Sequence, residues 1–431
     1  MNCKRINAKE ENITCVCESL GMRGKMDLEP IIVTVNEILN QVRARRDEAI
    51  REYTLRFDKA DIEPENIRVT QAEIDEAMTS IEPALLETIR KSATNILAFH
   101  ERQQEENLSM SVGTSSTIGL LVRPLSIAGI YVPGGTAPLP STVLMNVIPA
   151  KAAGVQRVVL CTPPRADKTI APVILAAAKI AGADEIYKVG GAQAIAAMAY
   201  GTSSIPRVDK ICGPGNIYVN TAKRLVFGQV DIDMFAGPSE ILIIADDSAN
   251  PAYVAADMLS QAEHDKIASA ILLTTSETLA DAVSLEIEKQ AETLDRKEIL
   301  SASLSDYCAI ITVKNLADAI CFSNELAPEH LELCIENASE YVEQIKNAGA
   351  IFIGNYSPEP LGDYFAGPNH TLPTSGTSRF FSPLNTKDFM KKMSVLHYSQ
   401  DDLQECYRDI ARFADAEGLT GHASAVKIRF E

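Results

Sequence analysis

From about Ser126 onward, short apolar runs alternate with longer segments whose apolar residues recur at helical spacing. Ile127 to Val132, Arg157 to Cys161 and Glu185 to Val189 read as strands, with Ser141 to Ala153 and Lys168 to Ala181 as helices between them. Alternation of this kind predicts repeated βα units on a parallel sheet. It resumes with Glu240 to Ala245, the helix Pro251 to Ala262, the strand Ser269 to Thr274 and the charged helix Ser276 to Leu294. Strands at Tyr307 to Val313 and Ala348 to Gly354 carry this second unit to about Pro360. Ahead of both, Ile31 to Phe57 and Gln71 to Gln103 read as helices with charged faces, and residues 1–25 as a loosely attached arm. After Pro383 the chain turns helical, with Leu403, Tyr407, Ile410 and Ala414 on one face, and Ala423 to Phe430 reads as a closing strand. The expected fold is therefore α/β: two Rossmann-like parallel-sheet domains, a small N-terminal helical arm and a C-terminal helical tail that packs on its own chain or on a partner.

Composition narrows the function classes. At 431 residues the chain is too long for one ordinary core. A formal net charge of -18 repels polyanions, and the short basic clusters Arg43 to Arg46 and Lys391-Lys392 interrupt mixed helical stretches, which argues against nucleic acid. No apolar run approaches the roughly 20 residues that span a bilayer, and Met1 to Asp27 lacks the pattern of a signal peptide, so a cytoplasmic location off the membrane is expected. The 9 cysteines are an odd number scattered mostly through apolar segments, as reduced core residues would be. Cys15 and Cys17 form a C-x-C pair with no second pair to complete a metal set, and read as structural or incidental.

The densest Gly/Pro punctuation falls at Pro133-Gly134-Gly135, Gly213-Pro214-Gly215 and Ala236-Gly237-Pro238, near strand ends. Open parallel sheets bind ligands outside the carboxyl ends of their strands, so these turns mark where a site is expected. Neither a dinucleotide G-x-G-x-x-G after a strand, nor a P-loop, nor G-x-S-x-G occurs. If NAD binds, its phosphates are held in another way.

Only 6 histidines are present, at positions 100, 264, 330, 370, 397 and 422. In Ser260-Gln261-Ala262-Glu263-His264-Asp265, Gln261 and His264 share one face at a helix end and could hold a metal, with Glu263 or Asp265 orienting the imidazole; a solvated helix end is the alternative. Glu329-His330 places an acid and a base side by side behind Pro328, where a helix start is expected, so the two side chains diverge and can serve different steps. An exposed capping pair is the alternative. Asp363 and His370 lie in a glycine-punctuated loop that suits a metal ligand, a polar contact or a simple turn. Glu417 to His422 ends the last helix, where a histidine could merely complement the helix dipole.

Taken together, Glu48 to Asp58, Gly129 to Gly135, Val189 to Ala194, Gly213 to Asn216, Ala236 to Glu240, Ser260 to His264, Ala327 to Leu331, Gly362 to Leu372 and Ala416 to His422 resemble the histidinol dehydrogenase family nearly end to end. The resemblance implies oxidation of L-histidinol through L-histidinal to L-histidine, the last step of histidine biosynthesis, with two NAD and one zinc per subunit. It places the zinc ligands on Gln261, His264, Asp363 and His422, and the catalytic pair on Glu329 and His330. It adds substrate contacts at Ser239, His370 and Glu417, beside the metal ligands and His330, and NAD contacts at Tyr131, Gln193 and Asn216. It further implies homodimers whose C-terminal segment crosses to the neighbour, so that Glu417 and His422 complete the other subunit's site. The departures are Arg46, where the family often has glycine ahead of Asp47, and a weakly matching arm around Cys3, Cys15 and Cys17.

The expected division is an arm over 1–25, a discontinuous first α/β domain over 26–130 and 238–383, an NAD-binding domain over 131–237 and a dimerisation tail over 384–431. Three rival readings compete with this one: a sibling zinc dehydrogenase for another small polar alcohol such as a sulfonated diol, a zinc hydrolase using Glu329 on a metal-bound water, and an assembly subunit that keeps zinc only for folding.

Overall fold

The structure is a computed structural model that describes residues 3–9, 28–134, 138–235 and 237–431. It opens with strand β1 (Lys4–Asn7), followed by helices α1 (Glu29–Arg45), α2 (Asp47–Asp58), α3 (Gln71–Ser80) and α4 (Pro83–His100), then an antiparallel pair, β2 (Leu108–Val112) and β3 (Ser116–Pro124). One βα series follows: β4 (Ile127–Tyr131), α5 (Pro140–Ala152), β5 (Arg157–Thr162), α6 (Pro172–Ala181), β6 (Glu185–Lys188), α7 (Gly191–Tyr200), β7 (Lys210–Cys212), α8 (Ile217–Val226) and β8 (Asp231–Ile232). The other comprises β9 (Glu240–Ala245), α9 (Pro251–Ala262), β10 (Ser269–Thr274), α10 (Glu277–Ala291), α11 (Lys297–Asp306), β11 (Ala309–Thr312), α12 (Leu316–Leu326), β12 (His330–Cys334), β13 (Ala350–Ile353) and the short helix α13 (Glu359–Tyr364). Strand β14 (Met390–His397) and helices α14 (Gln400–Ala416) and α15 (Thr420–Lys427) complete the chain.

Both expected parallel sheets are present. The 5-stranded sheet runs β6-β5-β4-β7-β8 and the 6-stranded sheet β1-β11-β10-β9-β12-β13. In each βα series the chain steps outward from the opening strand, β4 or β9, and then returns across it, so β4 beside β7 and β9 beside β12 are topological switch points. The interiors of β9 and β5 are apolar on both faces because each feeds two cores. Ile241 and Ile243 of β9 join one buried cluster, while Leu242 and Ile244 join the cluster on the opposite face. In β5, Val158 and Leu160 face one way, and Val159 and Cys161 the other.

Arg46 interrupts the helical run from Glu29 to Asp58 with φ 52° and ψ -126°. L side chains rarely adopt such a conformation and glycine does so freely. The arginine is held there by its guanidinium, which donates to the carbonyls of Tyr200 and Gly201 at the end of α7.

Several local expectations are corrected. The first described residues are not loose, because Lys4–Asn7 pairs in parallel with β11 as an edge strand; Cys15 and Cys17 lie outside the described residues. Met390–His397, expected to be helical, is a strand that pairs antiparallel with β3 in a 3-stranded sheet, β14-β3-β2. It is almost wholly exposed and its partner is remote in sequence, so neither burial nor local pattern announced it. The end of the chain, expected as a strand, is helix α15, whose Ala423 packs against Ala411 and Ala414 of α14. Finally, the Glu329-His330 segment starts strand β12 instead of a helix: Ala327 takes a left-handed conformation that closes α12, and Pro328 leads into the sheet. Among the described residues no helix is long and apolar enough to cross a membrane.

Candidate active site

His330 is the first residue of β12 and pairs in register with Ile241 of β9. The candidate chemistry thus collects at the amino ends of the strands of the 6-stranded sheet, not at the carboxyl ends where it was expected. Burial there is nearly complete, with Glu329 7% and His330 4% exposed. His330 Nδ1 lies 3.1 Å from the backbone oxygen of Glu240. A carbonyl oxygen can only accept, so Nδ1 carries the proton and Nε2 keeps its lone pair. Nε2 is buried and has no hydrogen-bond partner. Burial pushes the imidazole down to about 3, and the ring is therefore neutral at physiological pH. Glu329 accepts from the Glu240 backbone N–H at 2.9 Å, and its carboxylate stands 3.6 Å from His330 Nδ1. Burial raises the Glu329 carboxyl well above its ordinary value.

A second group adjoins this pair. His264, Glu359 and Asp363 each offer one ligand atom, and the three lie within 4.8 Å of one another. Gln261, in the last turn of α9, is 0% exposed, and neither its amide oxygen nor its amide nitrogen has a partner. A buried amide stranded in this way is costly unless something at the site takes up its lone pair. Burial pushes Asp363 up to about 6 and Glu359 up to about 8. Two buried carboxyls in contact do not both ionise near neutrality unless a positive charge lies between them. Amide, imidazole and carboxylates are all zinc-compatible donors, so the residues present fit a divalent cation. Asp363 was expected in a loop but belongs to α13, one turn after Glu359.

His370 completes a cavity of ≈ 300 Å³ lined also by His330, Phe352, Leu361, Asp363 and Leu372. Its Nδ1 is 3.7 Å from Asp363 Oδ1, and burial takes its ring down to about 4. The segment that carries it is clasped by the other half of the molecule. Ser92 Oγ and Asn95 Nδ2 on α4 donate to the carbonyls of Tyr364 and Phe365 at 2.6 and 2.8 Å. Asn369 Nδ2 donates to the Met145 carbonyl on α5 at 2.6 Å. Ser239 stands just before β9, where its carbonyl accepts from Ser269 N at 3.1 Å.

The residues expected to contact a dinucleotide lie at the carboxyl ends of strands of the 5-stranded sheet or in the turns that follow them. Tyr131 ends β4, Gly213 follows β7, and these are the strands at the switch point. The Tyr131 hydroxyl accepts from Gly191 N at 3.1 Å. Gln193, in the first turn of α7, is 1% exposed with both amide atoms unpartnered. Asn216 caps α8 by accepting from Tyr218 N and Val219 N. The preceding turn is shaped by close approach: a Cβ on Gly213 would lie 2.0 Å from the Tyr131 oxygen. Lys223 and Asp233, with side chains 1% exposed each, form an ion pair beneath this turn. Lys223 Nζ donates to the Gly213 carbonyl at 2.9 Å, and Asp233 accepts from Gly213 N at 2.8 Å.

Glu417 and His422 stand apart from both groups. Glu417 follows α14, and His422 is in the first turn of α15 instead of ending the last helix. Both line an open groove on the tail with Ile410, Phe413 and Leu419. Sequence reasoning missed two participants. Glu359 was signalled only by its four-residue spacing from Asp363, and Glu240 holds Glu329 and His330 through its backbone, which no side-chain pattern reveals.

The family model for histidinol dehydrogenase matches residues 22–430. A histidinol dehydrogenase from Caldanaerobacter subterraneus is 55% identical over 408 residues, 95% of this chain and 94% of the relative. One from Bacillus subtilis is 53% identical over 396 residues, 92% of each chain. The crystal structure of histidinol dehydrogenase from Elizabethkingia anophelis superposes with a TM-score of 0.92 at 41% identity, covering 99% of this chain and 98% of that one. With a buried, neutral imidazole, a cation-compatible cluster and two doubly wound sheets matched over almost its whole length, the chain belongs to the histidinol dehydrogenase family.

Proposed function

We propose that this chain oxidises L-histidinol to L-histidine through L-histidinal in two successive two-electron steps, using two NAD and one zinc per subunit. The observation that carries the reading is His330 Nε2: buried, unprotonated and without a partner, on a residue that lines a cavity together with Asp363 and His370. When bound, zinc supplies a fixed positive charge that orients the substrate's imidazole and amine, and NAD accepts hydride. Gln261, His264 and Asp363 hold the metal together with a partner's His422, and Ser239, His370 and a partner's Glu417 contact the substrate. His330 Nε2 takes the hydroxyl proton in the first oxidation. Glu329 activates the water that hydrates the aldehyde, and His330 takes the proton of the hydrate in the second. A carboxyl raised by burial exchanges protons nearer neutrality than an exposed one, and a cation close by draws it back toward the ionised form. Tyr131, Gln193 and Asn216 contact NAD.

The homodimer is supported by the tail, which exposes Phe413 at 72% and Ile410 at 41% in the groove that carries Glu417 and His422. Apolar surface gathered around polar site residues is what an interface with shared sites requires. A cytoplasmic location off the membrane agrees with the biosynthetic role and needs no spanning helix.

The test supplies purified zinc-loaded protein with L-histidinol and NAD and counts NADH formed per alcohol consumed. Two per substrate are expected, and one would reject the double oxidation. His330→Asn should keep its zinc and lose on the order of 10²-fold or more of the rate. Near-normal turnover in that variant would remove His330 from the chemistry.

A further inference from the structure

We propose that Cys3 and Cys308 form a peroxide-sensitive dithiol, whose oxidation to a disulfide staples β1 to the edge of the 6-stranded sheet. Neither sulfur takes part in the proposed metal or dinucleotide chemistry.

β1 is the edge strand of that sheet and runs parallel to β11, with Lys4 opposite Ala309. One step earlier the register sets Cys3 opposite Cys308, and the Lys4 N–H donates to the Cys308 carbonyl at 3.2 Å, which carries the pairing to that step. Neighbouring strands lie about 4.8 Å apart, inside the span of about 4.4–6.8 Å that separates the Cα atoms of a disulfide. Both side chains leave the same face of the sheet and enter one buried cluster with Met258, Leu300 and Leu304. There the two thiols are hydrogen-bonded to each other. The Ala270 N–H also donates to the Cys308 sulfur at 3.3 Å, and the Ser303 hydroxyl stands 3.6 Å from it, so this sulfur is fixed in place. Cys334, the other cysteine of the cluster, ends β12, with β10 and β9 between it and β11.

Cys308 is fully buried, and Cys3 is 8% exposed. The contact with Cys308, and burial, hold the Cys3 thiol well above its ordinary range, so it stays protonated and unreactive while β1 is docked. A strand at a sheet edge and near a chain terminus opens more readily than the strands inside, and opening exposes Cys3 to water. Hydrogen peroxide then transfers one oxygen to the Cys3 sulfur, giving the sulfenic acid, and its other oxygen leaves as water. When β1 pairs again, the Cys308 sulfur attacks the Cys3 sulfur. The S–S bond forms, the S–O bond breaks, and hydroxide departs with the Cys308 thiol proton as a second water. Two thiols have lost two electrons and two protons, and the peroxide has become two waters. The bridge closes a loop of about 300 residues, the long-loop case in which a cross-link most restricts the unfolded chain. It also stops β1 from uncovering β11, whose unpaired edge would otherwise be a template for other strands.

The experiment treats the whole chain with a small excess of hydrogen peroxide, blocks the remaining thiols with N-ethylmaleimide and maps a non-reducing digest by mass spectrometry. Amide hydrogen exchange is measured beside it on the reduced and oxidised forms. We expect a cross-link between Cys3 and Cys308 that dithiothreitol reverses. Exchange at Lys4 and Ala8, which donate to the Cys308 and Thr312 carbonyls, should slow on the order of tenfold or more on oxidation. In Cys3→Ser the same amides should exchange at one rate with and without peroxide. Cys3 recovered with the maleimide attached, as a sulfinic acid, or joined to Cys15 or Cys17 would overturn the inference. So would a cross-link that leaves exchange at the two amides unaltered, or slowing by peroxide that persists in Cys3→Ser. Should the serine variant fail to fold, the wild-type map and its exchange rates decide the matter by themselves.

Discussion

Replacing Lys223 with methionine isolates the ion pair beneath the Gly213 turn. The substitution keeps the length of the side chain and removes its charge. Lys223 and Asp233 are both 1% exposed at the side chain, and each holds one end of the Gly213 peptide unit. Methionine leaves Asp233 buried with a backbone N–H as its remaining support, and strands the Gly213 carbonyl. Breaking one side of a buried, hydrogen-bonded pair costs about 3–5 kcal/mol, most of it the penalty of the charge left behind. Asp233→Asn should cost a similar amount because the ammonium is then the orphan. The double variant should recover a coupling on the order of 1–3 kcal/mol. The chain has 0 tryptophans, so denaturant unfolding is best followed by far-UV circular dichroism. Since the same turn leads into Asn216, the single variants should also raise the KM for NAD while that for L-histidinol stays within about twofold, an interaction lost for one ligand only. Losses below about 1 kcal/mol in both single variants, or strict additivity in the double, would refute the reasoning.

Mixing a His330→Asn protein with a His422→Ala protein should restore activity in heterodimers, where one of the two sites is intact; no recovery after demonstrated subunit exchange would refute the shared site. Asp402 accepts from Thr114 N, Ser115 N, Ser116 Oγ and Ser399 Oγ, so Asp402→Ala should speed hydrogen exchange at Thr114 and Ser115 and lower activity by freeing the tail. Unchanged protection at both amides would count against that anchor. These bonds hold the Asp402 carboxyl well below the usual carboxylate range. The anchor is therefore intact above the unfolded value of about 3.9 and is lost only as pH falls through the lower folded value. His330 and His370 act in the same direction for another reason. Burial lowers both, so below about 6.5 the unfolded chain binds protons that the folded chain refuses. Each of these histidines lowers the stability of the metal-free protein as pH drops from about 6.5 towards about 4, while the raised Glu329, Glu359 and Asp363 carboxyls work the other way, so His370→Gln should tilt that limb towards higher stability in acid; an unchanged slope would contradict it.

The parts of the fold legible in the sequence were those whose elements declare themselves locally. Glu240–Ala245 and Ser269–Thr274 are apolar on both faces, and Pro251–Ala262 begins behind an asparagine cap with proline at its start, so their limits could be read from the residues alone. Met390–His397 could not be read because its only support is a strand far earlier in the chain and neither side of it is buried. Glu329-His330 misled for a different reason: a proline before two polar residues suggests a helix start, but here the left-handed Ala327 has already turned the chain into the sheet. Candidate ligands were legible as residue types in recurring motifs, since His264, His330 and His370 are scarce and punctuated by glycine or acid. The tautomer of His330 was not, because the group that sets it is the backbone oxygen of Glu240.

The clasp on Tyr364, Phe365 and Asn369 ties two ligand equilibria together. Helices α4 and α5 pack on each other, and α5 is the crossover from β4, the strand that ends at Tyr131. Were the 5-stranded sheet to shift on taking up a dinucleotide, the motion would pull on the segment that carries Asp363 and His370. Whatever factor the dinucleotide imposes on metal affinity, the metal must impose on dinucleotide affinity in return, because the two paths round that cycle have the same total free energy.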